Sequence, residues 1–570
     1  MASNKEIANE FFLFSEILEL KSGDRFKINA YQKAAQAIAS IGISVHEMYR
    51  SGGIKEVEKI DGVGLGIASK IEEFIKDGKI KDLEILKKKF PAPEIEFLKI
   101  PGVGPKTARV LYEKLGAKNI SELGTMLSQN GHKYFHEKSL KNIIRGTEIY
   151  KNMGNRMLLN EASDISELII SYLKDVTSAT NITAVGSLRR RVETVGDIDI
   201  IASSKTPDNI IKKFVEFDQF TQIIAQGETK ASAIFEGDVQ VDLEILPKGK
   251  FGSLLVHFTG SKLHNIALRS YALKKGLSSS EHGIKHIKSK KIETFSNESG
   301  FYKRLGLEYI EPELREDRGE ISASLEHKLP DLVEQKDIKG DLHIHSNYSD
   351  GTASIEQIVI KAIELNYQYV AISDHTVGLG IANGLSSKRF KERQKEIEKI
   401  RKKYSKIKIL SSCEVNIKPD GRLDMPDDIM AVFDIVNASV HSSLSQDKDA
   451  ITDRIITAIE NKFVNIIGHP TGRILNERNG YEADWEAIFN ACVKNNVALE
   501  INAYPDRLDL PDSLVFDARK AGVKFVISTD AHSLDQMNYM NFGVSVARRG
   551  WCEKSDILNS APLEKFPKHN

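Results

Sequence analysis

The 570-residue chain is too long for a single hydrophobic core, and its length predicts roughly three to five domains. Hydrophobic residues make up 41% and charged residues 28%, as in a soluble globular protein, and the absence of a run of about 18 apolar residues excludes a membrane span. Three widely separated cysteines exclude a disulfide framework and, with an N-terminus unlike a signal peptide, predict a cytoplasmic protein.

Charge is balanced overall but not locally. The chain has 80 basic and 80 acidic residues, so the total does not favour a nucleic-acid partner. Residues 101–150, however, hold eight Lys or Arg against four Asp or Glu, and residues 251–300 hold eight against three. Since phosphate binding depends on where basic groups lie, these two regions are candidates for a nucleic-acid contact.

Amphipathic helices are predicted over residues 5–90, and a glycine-rich turn occurs twice, at residues 60–68 and 100–108. Each turn has an apolar residue, a turn residue, Gly-Val-Gly and the start of a new helix. Glycines allow close backbone approach, and a helix N-terminus offers unpaired N–H groups to a phosphate. Two copies about forty residues apart favour a repeated phosphate-binding hairpin over plain turns and resemble helix-hairpin-helix motifs, which bind DNA backbones without reading sequence. The candidate DNA-binding residues in these turns are Gly62, Gly64, Gly102, Gly104 and Lys106.

A pair of carboxylates lies in the β-branched run 194–201. Asp197 and Asp199 would point to the same face of a strand, where they repel each other unless a cation lies between them. A Gly-Ser turn and three arginines precede them at residues 186–191, and Asp242 lies in a later predicted strand. Three acids from two strands are able to hold two Mg²⁺ ions for an in-line phosphoryl transfer.

The stretch 257–271 follows with an aromatic residue, Phe258, a glycine turn at Gly260, and a helix that begins beyond it. Asn265 and Arg269 are four residues apart and would share one helix face. This arrangement predicts a base-and-sugar pocket if the acids form a nucleotidyl-transfer site, and an ordinary helix start otherwise.

Taken in order, these motifs make residues 1 to about 318 similar to family X DNA polymerases of the DNA polymerase beta type. The resemblance implies that Asp197, Asp199 and Asp242 hold two Mg²⁺ or Mn²⁺ ions. It assigns Gly186, Ser187 and Arg190 to the incoming triphosphate, and Arg269 to the templating strand. The residues implied in nucleotide placement are Phe258, Gly260 and Asn265.

The same resemblance places Lys70 on the family's Schiff-base lysine for removing 5′-deoxyribose phosphate. Lys27 and Tyr31 fall on its 5′-phosphate-binding positions. Two positions depart from the family pattern. Gly66 stands where a further 5′-phosphate lysine is often found, and His257 replaces an aromatic residue that helps to exclude ribonucleotides.

An acidic, helix-poor stretch from Glu311 to Lys339 predicts a linker, and a second metal centre follows it. His343 and His345 alternate along a predicted strand, and further apolar runs each end in a histidine or an acid. Helical segments alternate with these strands, which predicts a (β/α) barrel with its site at the strand ends. Six imidazoles and three carboxylates suit Zn²⁺, Mn²⁺ or Fe²⁺ better than Mg²⁺.

Residues 338–570 are similar to the PHP (polymerase and histidinol phosphatase) family, which implies a three-metal phosphoesterase. Every ligand position of that family is filled here. The nine residues are His343, His345, Asp350, His375, Glu414, His441, His469, Asp530 and His532.

We therefore expect a multidomain protein with α-helical helix-hairpin-helix domains, an α+β nucleotidyltransferase palm and a distorted (β/α)7 PHP barrel. The expected segments are a lyase-like domain (1–88), a DNA-binding domain (89–160), the palm (161–248), a nucleotide-selection subdomain (249–318), a linker (319–337) and the PHP domain (338–570).

The expected function is gap-filling, template-directed DNA synthesis in base excision repair, with a PHP domain that acts as 3′–5′ exonuclease, 3′-phosphatase or abasic-site endonuclease. The expected partners are gapped or nicked DNA and deoxynucleoside triphosphates, with no membrane and a monomeric chain. Three alternatives stay open: a template-independent nucleotidyltransferase, a PHP domain acting on a small phosphomonoester, and a PHP barrel that is only a metal-stabilised scaffold.

Overall fold

The protein is described here by a computed structural model covering residues 4–21, 24–40, 45–60, 62–100, 103–153, 156–179, 181–237, 239–379 and 382–565. None of the helices in these ranges is long and apolar enough to cross a membrane. The N-terminal part is helical, with α1 (Asn4–Leu20), α2 (Arg25–Ser40), α3 (Val45–Gly52), α4 (Ile54–Val57), α5 (Leu65–Asp77), α6 (Lys81–Lys87), α7 (Ala92–Phe97), α8 (Pro105–Glu113), α9 (Ile120–Asn130) and α10 (Glu137–Met153).

The helices form because apolar residues recur at helical spacing and bury one face. On α1, Ile7 and Phe11 are fully buried and Phe14 is 5% exposed, while Leu18 packs at the edge of the same core. That core includes residues from both glycine turns, such as Val63 and Val103. The described parts of the hairpins are therefore anchored by their apolar residues, while Gly64 is exposed and Gly62 and Gly104 are half-buried.

The glycines that precede α5 and α8 have the same backbone conformation. Gly64 precedes α5 with φ −86° and ψ 172°, and Gly104 precedes α8 with φ −87° and ψ 175°. Gly62 has a positive φ of 79°, a conformation that favours glycine. Gly102, its counterpart in the second turn, lies outside the described residues. The helices α5 and α8 therefore begin in the same way, each directly after a glycine.

The middle domain is built on a five-stranded mixed sheet with the order β2-β4-β7-β6-β5. Its elements are β1 (Met157–Leu158), α11 (Leu159–Val176), β2 (Asn181–Ala184), α12 (Gly186–Arg189), β3 (Thr194–Val195), β4 (Ile198–Ser203), α13 (Pro207–Val215), β5 (Phe220–Gln226), β6 (Lys230–Phe235) and β7 (Val239–Leu246). β1 pairs with β3, so the domain's strands begin slightly before the expected boundary at residue 161.

The sequence predicts a single strand over residues 194–201, but the structure divides this run between two strands. β3 pairs with β1 in a two-stranded sheet, whereas β4 starts at Ile198 and pairs with β2 and β7. The chain changes from one sheet to the other at Gly196 and Asp197. Asp197 therefore lies on the bend before β4, and Asp199 lies within the strand.

The next domain carries α14 (Phe251–Thr259), α15 (Lys262–Lys274), β8 (Leu277–Ser280), β9 (Gly283–His286), β10 (Ile292–Glu293), α16 (Glu298–Leu305) and α17 (Glu320–Leu325). The segment 319–337, expected as a linker, is packed against this domain. Glu320 is fully buried and accepts a 2.6 Å hydrogen bond from His264 of α15, and Ser324 donates to the carbonyl of Glu308. Burial of Glu320 and Ser324 makes this segment part of the domain rather than a free connection.

The C-terminal domain is a parallel barrel of seven strands in sequence order. Its strands are β11 (Gly340–Ile344), β12 (Tyr369–Ile372), β13 (Lys408–Asn416), β14 (Ile435–Ser439), β15 (Ile466–Ile467), β16 (Ala498–Asn502) and β17 (Phe525–Ser528). Its helices are α18 (Ile355–Glu364), α19 (Ser387–Lys403), α20 (Asp427–Met430), α21 (Lys448–Ile459), α22 (Trp485–Asn495), α23 (Asp512–Ala521) and α24 (Met540–Arg549). A parallel bridge between Ile344 and Ala531 joins the first and last strands and nearly closes the barrel. β16 is the one strand that the ligand pattern left unassigned.

Candidate metal centres

The first centre lies at the end of the middle sheet. Asp199 on β4 stands opposite Asp242 on β7 in parallel register, and oxygens of Asp197, Asp199 and Asp242 all lie within 4.8 Å of one another. Burial, together with the neighbouring carboxylates of Asp197 and Asp242, raises the pKa of Asp199 from 3.8 to about 7, against the opposing effect of Arg190. The three acids crowd negative charge into one place, which suits a divalent cation bound through oxygen.

Neighbouring residues orient two of these acids. Both oxygens of Asp242 are engaged: Ser232 donates to Oδ1, and Gln240 Nε2 donates to Oδ2 at 2.9 Å. Gly186 has φ +62°, and a β-carbon there would lie 2.6 Å from Oδ2 of Asp199. The sheet therefore needs glycine at this position, because any side chain would displace the carboxylate.

Arg190 directly follows the short helix α12, which contains Ser187, and lies close to the three acids. Its Nε donates to Oε1 of Glu316 at 2.9 Å, and its Nη1 donates to the carbonyl of Thr259 at 2.7 Å. The side chain is 13% exposed. Arg190, the residue expected to bind the triphosphate, is thus held by a carboxylate and a carbonyl close to the acid cluster.

The expected nucleotide-placement residues meet at the junction of α14 and α15. Asn265 donates to the carbonyl of His257 at 2.7 Å, and a β-carbon on Gly260 would lie 2.7 Å from Oδ1 of Asn265. Phe258 lines a cavity of about 250 Å³ together with Asp199, Asp242 and Lys230. Arg269 is exposed, one turn beyond Asn265 on the same helix.

Burial lowers the pKa of His257, against the opposing effect of Glu281, whose carboxylate lies 3.8 Å away.

The lysine expected to form a Schiff base is ion-paired. Lys70 contacts Asp82, its side chain is 19% exposed, and its Nζ lies 5.9 Å from the centre of the Phe14 ring. Tyr31 stacks on that same ring at 4.5 Å. Lys27 is exposed. The structure thus places Lys70 and Tyr31 around one aromatic side chain.

The exposed residues of these hairpins leave room for a ligand. Lys106 is exposed in the first turn of α8. Gly66 is exposed in the first turn of α5, and a β-carbon there would meet open space.

The second centre gathers all nine predicted residues at the carboxyl ends of the barrel strands. Three overlapping groups have ligand atoms within 4.8 Å of one another: His345, Asp350, His375 and His532; His343, His345 and Asp530; and His375, Glu414 and His441. His469 joins them through a 3.0 Å contact from Nε2 to Oε1 of Glu414.

Buried ring nitrogens in this cluster lack partners of their own. Among the described residues, Nδ1 of His345 and Nδ1 of His469 are buried and make no hydrogen bond, which is costly unless a ligand satisfies them. Backbone strain accompanies the cluster, because His469 (φ 27°) and Asp530 (φ 53°) both lie in the left-handed region. The donor set and its unsatisfied nitrogens therefore fit divalent metals held by nitrogen and oxygen.

The electrostatics of the cluster also call for positive charge. Burial disfavours a charged His375, but Glu414 and Asp350 outweigh it and raise its pKa to about 10. Burial, together with His532 and His375, lowers the pKa of His345 to about 4. Protons on some imidazoles thus balance the carboxylates, and bound cations would take over that role.

Other residues that support the cluster were not recognised from the sequence. Glu500 on β16 accepts from Nδ1 of His343 at 2.8 Å and from the backbone N–H of His469 at 2.6 Å. Asn416 accepts from Nδ1 of His441 at 2.7 Å. Their positions near strand ends were the available signal, but neither stands in a histidine-rich motif. Contacts of this kind fix the orientation of metal-binding histidines.

Arg507 is a further unrecognised residue at the mouth of the barrel. Its Nε lies 3.7 Å from Oδ2 of Asp530, and its side chain is 26% exposed. A guanidinium beside a metal cluster suits the binding of a phosphate oxygen.

Models of known families match four parts of the chain. They are described as a helix-hairpin-helix domain (residues 2–80), DNA polymerase beta palm (156–235), DNA polymerase beta thumb (254–316) and PHP domain (341–504). Most residues of both candidate centres fall within these matches: Asp197 and Asp199 in the palm, and the first seven barrel ligands in the PHP domain, whereas Asp242, Asp530 and His532 lie outside them.

Similar proteins match either the whole chain or one part of it. The DNA polymerase/3′-5′ exonuclease PolX of Bacillus subtilis (strain 168) is 38% identical over 577 aligned positions, which cover 99% of each chain. DNA polymerase lambda of Rattus norvegicus is 25% identical over 52% of this chain and 53% of its own. A protein described as a "probable phosphatase" of Thermoanaerobacter sp. (strain X514) is 32% identical over 28% of this chain and 66% of its own.

Proposed function

Since the chain belongs to the family X DNA polymerases that carry a C-terminal PHP domain, we propose that it fills short gaps in DNA and processes 3′ ends. The observation that carries this function is the presence of two separate clusters of ligand-type side chains in one chain, one acidic and one rich in histidine. The first suits nucleotidyl transfer, and the second suits phosphoester hydrolysis.

Synthesis belongs to the palm. Asp197, Asp199 and Asp242 hold two Mg²⁺ or Mn²⁺ ions, which when bound stabilise charge on the attacking and leaving oxygens. Ser232 and Gln240 keep Asp242 in a single orientation, through hydrogen bonds to both of its oxygens.

Side chains around the acids bind the nucleotide. Gly186, Ser187 and Arg190 receive the triphosphate, with Arg190 exchanging a protein contact for a phosphate oxygen. Phe258, Gly260 and Asn265 shape the nucleotide pocket, and the exposed Arg269 faces the template.

The two hairpins hold the DNA backbone. Their helix N-termini direct N–H groups outward, which suits phosphate contacts that position DNA without reading its sequence. The hairpin residues proposed to make these contacts are Gly62, Gly64, Gly102, Gly104 and Lys106, while Lys27 and Tyr31 of α2 would bind a 5′-phosphate of the DNA. DNA contacts on both sides of a gap would favour gapped or nicked DNA as the substrate, and we propose that the enzyme acts on it as a monomer.

The barrel hydrolyses phosphoesters at 3′ ends. Its nine residues hold three divalent ions, of Zn²⁺, Mn²⁺ or Fe²⁺, which when bound supply an activated water and stabilise developing charge. Glu500 and Asn416 orient the imidazoles of His343 and His441. Arg507 holds the substrate phosphate beside Asp530. The same chemistry extends from 3′–5′ exonuclease to 3′-phosphatase and abasic-site endonuclease activity, which suits base excision repair.

Removal of 5′-deoxyribose phosphate is a second candidate activity, favoured by the position of Lys70 beside Tyr31 and Phe14. Asp82 pairs with Lys70, so the amine must lose its proton and its partner before it attacks a sugar aldehyde. Borohydride trapping on DNA with a 5′-deoxyribose phosphate tests this activity. A wild-type adduct that Lys70→Ala abolishes is expected, and an equal adduct in both proteins would exclude Lys70.

A labelled gapped duplex with a blocked 3′ end tests both main activities. Asp197→Ala is expected to lower nucleotide incorporation by at least about 10³-fold while 3′ trimming persists, because several kcal/mol of charge stabilisation are lost only in the palm. His343→Ala is expected to do the reverse. Trimming that survives His343→Ala would exclude the barrel as the nuclease and leave it as a scaffold.

Substrate controls separate the remaining alternatives. Equal incorporation on a primer without a template would indicate a template-independent transferase. Hydrolysis confined to a small phosphomonoester would indicate a small-molecule phosphatase.

A further inference from the structure

One arginine of the barrel reaches the nucleotide-binding side of the palm. Arg549, the last residue of α24, donates through Nη1 to Oε1 of Glu316 at 2.9 Å and to the carbonyl of Arg190 at 2.8 Å. Its Nη2 lies 2.8 Å from Oδ2 of Asp512 in the barrel itself. The side chain is only 7% exposed, so these contacts are largely shielded from water.

Glu316 is shared between two guanidinium groups. Its Oε1 accepts from Nε of Arg190 and from Nη1 of Arg549, both at 2.9 Å. Glu316 is 19% exposed. A carboxylate that is mostly shielded from water is costly to leave without a cationic partner.

This geometry bears on how Arg190 is released to a triphosphate. When Arg190 turns to a phosphate oxygen, it gives up Glu316, which would be stranded unless a second cation stays with it. Arg549 supplies that cation, and its hydrogen bond to the Arg190 carbonyl holds the backbone in place meanwhile.

We propose that Arg549 of the PHP barrel is a positioning residue for the triphosphate site of the palm: it neutralises Glu316 so that Arg190 is free to bind the incoming nucleotide. This inference rests on the proposed role of Arg190. It assigns the barrel a part in DNA synthesis that is separate from its own metal cluster.

Single-nucleotide gap filling by the full-length enzyme tests the role. Arg549→Met is expected to raise the KM for the deoxynucleoside triphosphate about tenfold with kcat within about twofold, since the loss falls on nucleotide binding. Arg548→Met is the matched control, because Arg548 is the preceding residue of the same helix and contacts Glu313 rather than Glu316. An unchanged KM in Arg549→Met would overturn the proposal.

A second variant separates positioning from loss of structure. Glu316→Gln removes the charge that Arg549 neutralises, so Arg549→Met is expected to have little further effect on KM in that background. Full multiplication of the two single effects would overturn the proposal. Arg549→Lys keeps the charge and should therefore have a KM close to that of the wild type. If Arg549→Lys unfolds at the same temperature as the wild type but its KM is as high as that of Arg549→Met, the proposal is wrong.

Arg190→Met distinguishes the two levels of inference. If it raises the KM and Arg549→Met does not, the positioning role is wrong while the proposed function stands. If Arg190→Met leaves the KM unchanged, the triphosphate role of Arg190 is wrong and the role of Arg549 fails with it.

Discussion

The carboxylate of Asp199 occupies the space that a side chain on Gly186 would need. The point where a β-carbon of residue 186 would stand lies 2.6 Å from Oδ2 of Asp199, and φ at Gly186 is +62°. The turn expected to bind triphosphate and the acid expected to bind metal are therefore packed directly against each other. A side chain at residue 186 would therefore push the Asp199 carboxylate out of position.

Gly186→Ala should disable synthesis without unfolding the chain. Displacing the Asp199 carboxylate by about 1 Å is enough to lower incorporation by about 10²-fold. Primer extension measures this loss, and 3′ trimming by the same preparation should be unchanged. Gly249→Ala is the matched control, because a β-carbon there meets open space. Normal extension by Gly186→Ala would show that the close approach has no functional weight.

Glu500→Gln should weaken metal binding in the barrel. Glu500 holds both the ring of His343 and the backbone of His469, and loss of such a partner costs about 10–100-fold in metal affinity. Competition with a chelator, followed by measurement of metal content, reads this out without reference to activity. Glu460→Gln, on the exposed end of α21, should retain its metal. Equal metal retention by Glu500→Gln would contradict the role of Glu500.

Arg507→Met should weaken phosphate binding at the barrel more than it slows hydrolysis. Its guanidinium lies 3.7 Å from Asp530, and removing one charged hydrogen-bond donor costs about tenfold in binding. The KM for 3′ trimming and the inhibition constant of inorganic phosphate should both rise. Arg422→Met is the control, since Arg422 is exposed and pairs with Asp420, two residues earlier in the chain. An unchanged inhibition constant would rule out a phosphate contact.

Acid should destabilise the thumb through Glu298. Burial alone would raise the pKa of Glu298, but Arg315 and Arg189 outweigh it and hold the pKa at about 2 instead of 4.5. A lowered folded-state pKa stabilises the fold fully above about pH 4.5, and this stabilisation is lost as the pH falls from about 4.5 to about 2.

Denaturant unfolding at pH 7 and pH 3 measures this contribution. Glu298→Gln should lower the free energy of unfolding at pH 7 by about 3 kcal/mol, because it leaves the buried Arg315 and the partly buried Arg189 short of a charged partner. The variant should then lose less stability than the wild type between pH 7 and pH 3. Parallel losses in the two proteins would show that Glu298 does not titrate in this range.

Much of the candidate chemistry was predictable, because it depends on residue types that are rare at strand ends. The histidines and acids of the barrel stood out in this way, and the structure brings all nine together. Glu500 did not stand out, since an acid in an apolar strand has no distinguishing neighbour. Asp197 was expected in a strand but lies on a bend, because its run of β-branched residues is divided between two sheets.

By itself, the sequence determined which side chains are able to bind metal or phosphate and in what order they occur. Periodicity and residue type decide those features locally, and they act over a few residues. Only the tertiary structure decided which distant side chains form hydrogen bonds or ion pairs with each other. Examples are Arg549 with Glu316, Glu500 with His343, and Arg507 with Asp530. Those pairings depend on burial and on contacts between elements far apart in the chain, for which no local pattern exists.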